Sequence, residues 1–381
     1  MKINLKRIKK ESLPPIIFLV VCVLVGMSYG YIINDKLGGD LSFPMLILRL
    51  LEAMAMFFIV MFVHIIIHEI GHLIAGLMRG YRFLSFMILN IMITRKDGKF
   101  HFSRFGIPGA GGQCLMVPPT SGDSDAGIAF YNAGGVIINA LVGIITGTIL
   151  ALFYSEMSFE VVSLLLSFAI IGVFFALTNG IPTTMGGIPN DGKNMLELKK
   201  DRFSTEVFLK SMQVVAAMQE GNDIESVMPS YMCDDREIDF NNPIHVMALN
   251  LDLSAAMSRM DLKKACDIID RAMPHAHEMV AIYRYEFKME GAFLAAVLKE
   301  YAHDASTVFD KDLINYMQKM SVMRPDVLRM QYGIVRMYEH NEKKATEIYD
   351  RFVKMCNSYH SISDVRYQTQ LIEMVRKMPM S

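Results

Sequence analysis

The chain has 381 residues, 52% of them hydrophobic and 20% charged, with a formal net charge of −1 at pH 7. So balanced a charge excludes the broad basic surface that nucleic-acid binding needs, and no nucleic-acid partner is expected. The five cysteines (Cys22, Cys114, Cys233, Cys266 and Cys356) are scattered, odd in number and never spaced Cys-x-x-Cys, which argues against a disulfide framework and a cysteine zinc site.

A mean hydropathy of +0.30 is high for a soluble protein and low for one that is membrane throughout. The chain is segregated: Ile, Leu, Val, Met, Phe and Gly dominate up to about residue 190, and Lys, Glu, Asp, Arg and Met thereafter. Three regions follow: 1–43, an N-terminal tail, a first span and an external loop; 44–200, a membrane-embedded core; 201–381, a soluble domain.

Ile16 to Ile33 is the first apolar run, about long enough to span, behind Lys2, Lys6, Arg7, Lys9 and Lys10. A cleaved signal peptide has the same plan, but no A-x-A site follows and the run is long, which favours a retained span. The excess of Lys and Arg places the N-terminus in the cytoplasm. Pro44 to Met78 is too long for one perpendicular span, so part of it tilts or leaves the hydrocarbon. Arg49 and Glu52, one turn apart, are expected to pair.

Within this run lies His64-Ile-Ile-Ile-His68-Glu69-Ile70-Gly71-His72, which contains His-Glu-x-x-His. Ionisable groups at lipid depth are costly and mark function by default. His68 and His72 project from one helix face and can hold one Zn²⁺. Glu69 sits about 100° round the helix, within reach of a metal-activated water, as the general base of a peptide hydrolysis. The cluster lies roughly 10 to 16 Å from the cytoplasmic end of its helix at about 1.5 Å per residue. A stray match in a core helix is the bland alternative, but chance does not favour a match at this depth. His64, one turn back, could be a ligand, a donor behind a ligand, or a buried polar residue. A catalytic zinc with two histidines needs only one more protein ligand, which favours the last two.

Arg79, Arg82, Arg95, Lys96, Lys99 and Arg104 make the next loop basic and hence cytoplasmic. Phe86 to Phe105 reads as a hairpin: Ile91–Thr94 and Lys99–Phe102 flank a Lys96-Asp97-Gly98 turn. It either clamps an extended substrate by strand addition or plugs the bundle. His101 is expected at the surface. Pro108 to Pro119 is Gly-rich and apolar, and backbone of that kind near a membrane must be covered by protein or line a cavity.

Ala126 to Phe153 and Phe159 to Ile181 are the third and fourth spans, joined by Tyr154–Ser158, which lacks Lys and Arg and is read as external. Lys193, Lys199, Lys200 and Arg202 then return the chain to the cytoplasm, so four spans leave both termini inside. The fourth run ends Thr178-Asn179-Gly-Ile-Pro182, and an irregular stretch leads to Pro189-Asn190-Asp191-Gly192. Asp191 is a carboxylate offered from a bend, although Asn-Asp-Gly is also ordinary turn chemistry.

This order of motifs resembles the site-2 protease family of intramembrane zinc metalloproteases, over residues 50 to 195. The resemblance implies that His68 and His72 are zinc ligands, that Glu69 is the catalytic base, and that Asp191 is the third ligand. Asn179, at the Asn of an Asn-x-x-Pro motif, is implied to hold substrate. The family's Ala-Gly-Pro-x-x-Asn corresponds to Ala133-Gly134-Gly135-Val-Ile-Ile-Asn139, with Gly for Pro and one residue more, so Asn139 is a weaker substrate contact. Gly111 and Gly112 match the Gly-Gly of the family's reentrant loop. The gap from Pro182 to Asp191 is longer than in many members. The Tyr154–Ser158 link leaves no room for the PDZ domain that many carry, and the C-terminal half does not resemble the CBS domain of another branch.

From about Phe203 the pattern is amphipathic and helical. Met260-Asp-Leu-Lys-Lys-Ala265-Cys-Asp-Ile-Ile-Asp-Arg271 echoes His340-Asn-Glu-Lys-Lys-Ala345-Thr-Glu-Ile-Tyr-Asp-Arg351, with a fainter copy around Glu300–Ala305. A period near 40 suits stacked helical hairpins, loosely resembling tetratricopeptide repeats. Such an array could bind a cytoplasmic protein partner; a plain helical cap competes with it. His275 and His277 are expected to be solvated.

The expected fold is mainly α: a polytopic membrane helix bundle of about four spans with a small β-hairpin and reentrant loop, plus a soluble all-α helical-hairpin repeat domain. The expected function is that of an intramembrane zinc metalloendopeptidase cutting a membrane-anchored protein or peptide precursor near the cytoplasmic leaflet. The different-class alternative is a membrane-bound scaffold with a vestigial metal site, acting through its helical repeats.

Overall fold

A computed structural model describes residues 13–38, 41–96, 99–104, 111–119, 125–185, 188–198, 201–298, 311–359 and 361–379. They fall into two units, one within 1–89 and 109–198, the other within 90–108 and 199–381.

The first unit is built on α1 (Leu13–Leu37), α2 (Phe43–Met78), α3 (Asp125–Phe153) and α4 (Phe159–Gly180). Three of these, α2, α3 and α4, are long and apolar enough to cross a membrane. α1 packs on α4, where the Tyr29 hydroxyl donates to the Ser163 carbonyl at 2.9 Å and meets the Ser167 hydroxyl at 2.6 Å. Ile32 and Ile33 join Phe159 and Val162 in a shared cluster. The long second run is one unbroken helix of 36 residues, about 54 Å at 1.5 Å per residue. Pro44 in its first turn lacks an N–H that the helix could not have used anyway. It stops in a Schellman turn: Gly80, at φ 76°, donates to Leu77, and Tyr81 donates to Gly76. The expected Arg49–Glu52 pair forms at 2.8 Å, and Arg49 also reaches Glu160.

The burial of α2 is inverted relative to a soluble helix. Its inward stripe includes Ala53, Val60, His64, His68, Glu69, Gly71, His72 and Ala75, whereas Phe58, Ile59, Phe62, Ile74 and Leu77 are exposed. Ile144, Ile145 and Leu152 of α3 are exposed in the same way. Polar groups inside and large apolar groups outside suit lipid as solvent. Between α2 and α3 the backbones nearly touch: a Cβ on Gly71 would lie 2.4 Å from the Gly134 carbonyl oxygen, and one on Gly134 would lie 2.3 Å from that of Gly71.

Two strands complete this part, β1 (Arg82–Ile88) and β4 (Gly112–Val117), paired antiparallel with Phe86 opposite Cys114 and an irregularity between Phe83 and Ser85. The Gly-rich segment expected as reentrant loop is therefore partly a regular strand. Past α4, a two-residue ribbon of β5 (Thr184–Met185) and β6 (Ile188–Pro189) leads into α5 (Asp191–Leu198).

In the second unit, β2 (Ile91–Lys96) and β3 (Lys99–Arg104) form the expected hairpin, Thr94 opposite His101 and Lys96 opposite Lys99. His101 is exposed; the turn residues Asp97 and Gly98 lie outside the described residues. The helices are α6 (Arg202–Gln219), α7 (Pro243–Ser258), α8 (Leu262–Ala272), α9 (Ala281–Val297), α10 (Lys311–Met320), α11 (Pro325–Met337), α12 (Glu342–Cys356) and α13 (Ile362–Lys377). The two echoing segments fold alike. Met260 and His340 each adopt a left-handed φ, at 58° and 53°. Asp261 and Asn341 then cap α8 and α12 by accepting from the Lys264 and Lys344 amides. Ala265 and Ala345 are fully buried, and Arg271 and Arg351 each donate to a carbonyl of an earlier segment, Cys233 and Ser321. The fainter copy around Glu300–Ala305 lies outside the described residues. α6, α7, α9, α11 and α13 pack in succession, and α13 returns to α6 and α7. Arg366 and Ser363 of α13 fasten that closure on Asp223, at 2.6 and 3.0 Å.

The α2–α3 contact gives the first prediction. Gly134→Leu forces the two backbones apart and should destabilise the bundle by at least about 1–3 kcal/mol. This will be read as a lowered thermal unfolding midpoint in detergent; an unchanged midpoint would mean that the close approach is not needed.

Candidate metal centre

Two elements bring three candidate ligand atoms together. α2 presents His68 and His72 one turn apart, and α5 presents Asp191 as its first residue. The His68 Nε2 lies 2.9 Å from Asp191 Oδ2, the His72 Nε2 lies 3.4 Å from the same oxygen, and the two Nε2 atoms are 3.2 Å apart. Tetrahedral bonds of about 2.0 Å, as zinc makes to nitrogen and oxygen, put neighbouring ligand atoms about 3.3 Å apart. Two imidazoles and a carboxylate are a hard-to-borderline donor set suited to zinc. Among the described residues this is the one group of three that could hold a metal ion.

The hydrogen bonds behind the ligands decide which lone pairs are free. His72 Nδ1 lies 2.8 Å from the Tyr131 carbonyl oxygen, which can only accept, so Nδ1 carries the proton and Nε2 keeps its lone pair. The same reasoning fixes His68 through a longer chain. His64 Nε2 lies 3.1 Å from the Phe168 carbonyl oxygen and must donate to it. Neutral His64 then accepts at Nδ1, which faces the Asn139 side chain at 2.9 Å. The atom of Asn139 facing His64 must therefore be its NH₂, and its oxygen must face His68 Nδ1 at 3.0 Å. An amide's nitrogen and oxygen are interchangeable by a flip, and this orientation satisfies every partner. His68 is left with a proton on Nδ1 and a free lone pair on Nε2, the form a metal needs.

His64 has both ring nitrogens engaged away from Asp191, is fully buried, and is linked to His68 through Asn139. Asn139, expected as a substrate contact, is fully buried with its amide bonded on both sides to histidines. Gly135 makes room for this chain, because a Cβ there would come within 2.5 Å of the His68 ring.

Asp191 is delivered by Asn190, which the sequence analysis did not single out. Its Nδ2 donates to the carbonyls of Thr178 and Ile181, each at 2.7 Å, tying down the end of α4. Its Oδ1 accepts from the amides of Thr183 and Lys193, which caps the first turn of α5. Asn179 is half-buried and donates its amide to the Phe175 carbonyl of its own helix at 3.0 Å.

β4 runs against Glu69. The Glu69 carboxylate is buried and accepts from the Cys114 backbone N–H. A Cβ on Gly112 would lie 2.7 Å from a Glu69 carboxylate oxygen, and one on Gly111 would lie 3.2 Å from Ile65. The Tyr131 hydroxyl donates to the Cys114 carbonyl, so α3 holds both His72 and the strand beside Glu69. Neither Tyr131 nor Cys114 could be found from sequence, since the groups used are mostly backbone atoms.

Comparison with known proteins gives one finding. A family model described as Peptidase family M50 matches residues 56–363. No curated protein and no solved structure matches the chain.

Asn139→Leu leaves His68 Nδ1 without an acceptor and should weaken zinc binding by about 10–100-fold. Competition with a chromogenic chelator measures this; unchanged affinity would remove Asn139 from the support of the site.

Proposed function

This chain belongs to peptidase family M50, the site-2 protease family of integral-membrane zinc metalloproteases, and from that premise we propose how its own residues cleave a membrane-anchored substrate. The observation that carries the proposal is the convergence of His68, His72 and Asp191 beside Glu69 and the edge of β4.

His68, His72 and Asp191 would hold the zinc, with Tyr131 and the His64–Asn139 pair keeping both imidazoles in the ligating tautomer. Bound zinc supplies Lewis acidity toward a water and the scissile carbonyl. Glu69, fixed by the Cys114 N–H, takes the proton of the attacking water. It passes that proton to the amide nitrogen as the C–N bond breaks, so one peptide yields a carboxylate and an amine. The protein walls exclude bulk water, which strengthens each of these interactions.

A helix hides its peptide bonds, so a membrane segment must unwind before it is cut. β4 pairs with β1 on one side, and no strand pairs its other edge among the described residues. Addition of an extended substrate along that edge would bring its backbone past Gly111 and Gly112 to Glu69. This assigns the clamp to β4 in place of the β2–β3 hairpin, with Asn179 as a further substrate contact near the end of α4.

The basic residues around Arg79 to Arg104, and after α4, argue for a cytoplasmic location of both termini and for cleavage near that leaflet. α1 would be the fourth span. The helices after residue 200, with their two matching hairpins, would be a repeat-like domain able to receive a cytoplasmic partner.

Glu69→Gln keeps shape and ligands but removes the base. It should lower cleavage of a co-expressed membrane-anchored precursor by about 10²–10⁴-fold, while zinc content stays at the native level. Asp191→Ala should lose both zinc and cleavage. Native cleavage by Glu69→Gln, or full zinc in Asp191→Ala, would refute these roles.

A further inference from the structure

The helices of the second unit line a half-open cavity of about 350 Å³. That is near the lower end for ligand pockets, which run from about 300 to 1,000 Å³. It suits one amino-acid-sized group and excludes a folded partner. Its wall is unusual for a helical domain, because it combines carboxylates from three helices with the rings of Tyr316, Tyr359 and Tyr367.

The charges around it do not balance. Four carboxylates, Glu286, Glu290, Asp326 and Asp364, share two guanidiniums. Arg324 forks between Glu286, at 2.5 and 2.7 Å, and Asp326. Arg329, fully buried over the Phe293 ring, grips Glu290 with two hydrogen bonds and donates its Nε to Gln368 at 2.9 Å. Both arginines are therefore already paired with carboxylates other than Asp364. Gln368 passes the chain on by donating to Asp364 at 3.3 Å. Among the described residues Asp364 has no ion pair, although the other three carboxylates do.

An unpaired carboxylate in such a setting is costly. Burial, with Asp326 close by, pushes the Asp364 carboxyl up to about 6. A cation in the cavity would relieve that cost. Tyr316, Tyr359 and Tyr367 add aromatic lining, and aromatic rings attract ammonium and guanidinium groups. The neutral surfaces of Leu253 and Ile282 give an alkyl stem somewhere to lie.

We propose that this cavity is a binding site for a single organic cation, a guanidinium or primary ammonium group, seated on Asp364 among Tyr316, Tyr359 and Tyr367. The site belongs to the second unit, shares no residue with the metal centre and does not rest on the peptidase reading. Its ligand is either a free basic amino acid or amine, or the basic side chain of a peptide; both offer the same chemistry.

Isothermal titration calorimetry on the full chain in detergent tests it, with arginine amide, citrulline amide and the capped tripeptide acetyl-Ala-Arg-Ala-amide as probes. Saturable binding of a guanidinium probe is expected, with citrulline amide at least tenfold weaker than arginine amide. Asp364→Asn should weaken the guanidinium probe at least tenfold, while Asp312→Asn, on the exposed side of α10, should not. Tighter binding of the tripeptide than of arginine amide supports a peptide source; the reverse order supports a free small molecule. No saturable binding by the native chain, equal binding of citrulline amide, or an unaffected Asp364→Asn variant whose thermal unfolding matches the native chain would overturn the proposal. The citrulline comparison uses native protein, so it decides the matter even if the variant misfolds.

Discussion

Two imidazole lone pairs and a carboxylate oxygen held within 3.4 Å of one another make up the constraint on which the first unit depends. Electron-rich atoms so close repel unless a cation stands between them, and in helices faced with Ile, Leu and Phe there is little water to help. Much nearby structure serves to hold them there. α2 and α3 approach to backbone contact at Gly71 and Gly134, which brings Tyr131 and Asn139 up to the rings of His72 and His68. Asn190 ties the end of α4 to the start of α5 and so delivers Asp191 from a different segment.

Both units draw polar groups inward, but they satisfy them differently. In the first unit many large apolar side chains face outward, while His64, His68, His72 and Asn139 lie inside and are hydrogen-bonded. Around the second unit's cavity, charges are also drawn inward, but there arginines and carboxylates neutralise one another in chains running from α9 through α11 to α13. Asp364 is the exception, and a half-buried carboxylate without an ion pair is where a cationic ligand is most useful.

What was legible in the sequence was what local periodicity carries. His68, Glu69 and His72 can be read because a spacing of four on a helix fixes one face. The β2–β3 pair was legible because two short apolar runs flank an Asp-Gly signal, and the likeness of 260–271 to 340–351 because the same residue pattern recurs. Asp191 was visible only through family resemblance, since Asn-Asp-Gly is equally a plain turn. β4 was hidden because glycines that read as loop are needed where Gly112 passes the Glu69 carboxylate, and its pairing with β1 is long-range. The coupling of His64 to His68 through Asn139 spans 75 residues of sequence and leaves no local trace. Nor does the Tyr131 carbonyl, since every residue has one. The closure of the second unit's ring on Asp223 is of the same kind.

The central claim is that His68, His72 and Asp191 form one zinc site. X-ray absorption at the zinc edge, on the purified full chain in detergent, tests it most directly. The account predicts one zinc per chain, with two imidazole nitrogens and further oxygen ligands at about 2.0 Å and no sulfur, and loss of the bound zinc in Asp191→Ala. A sulfur shell, or an unaltered spectrum and zinc content in that variant, would contradict it.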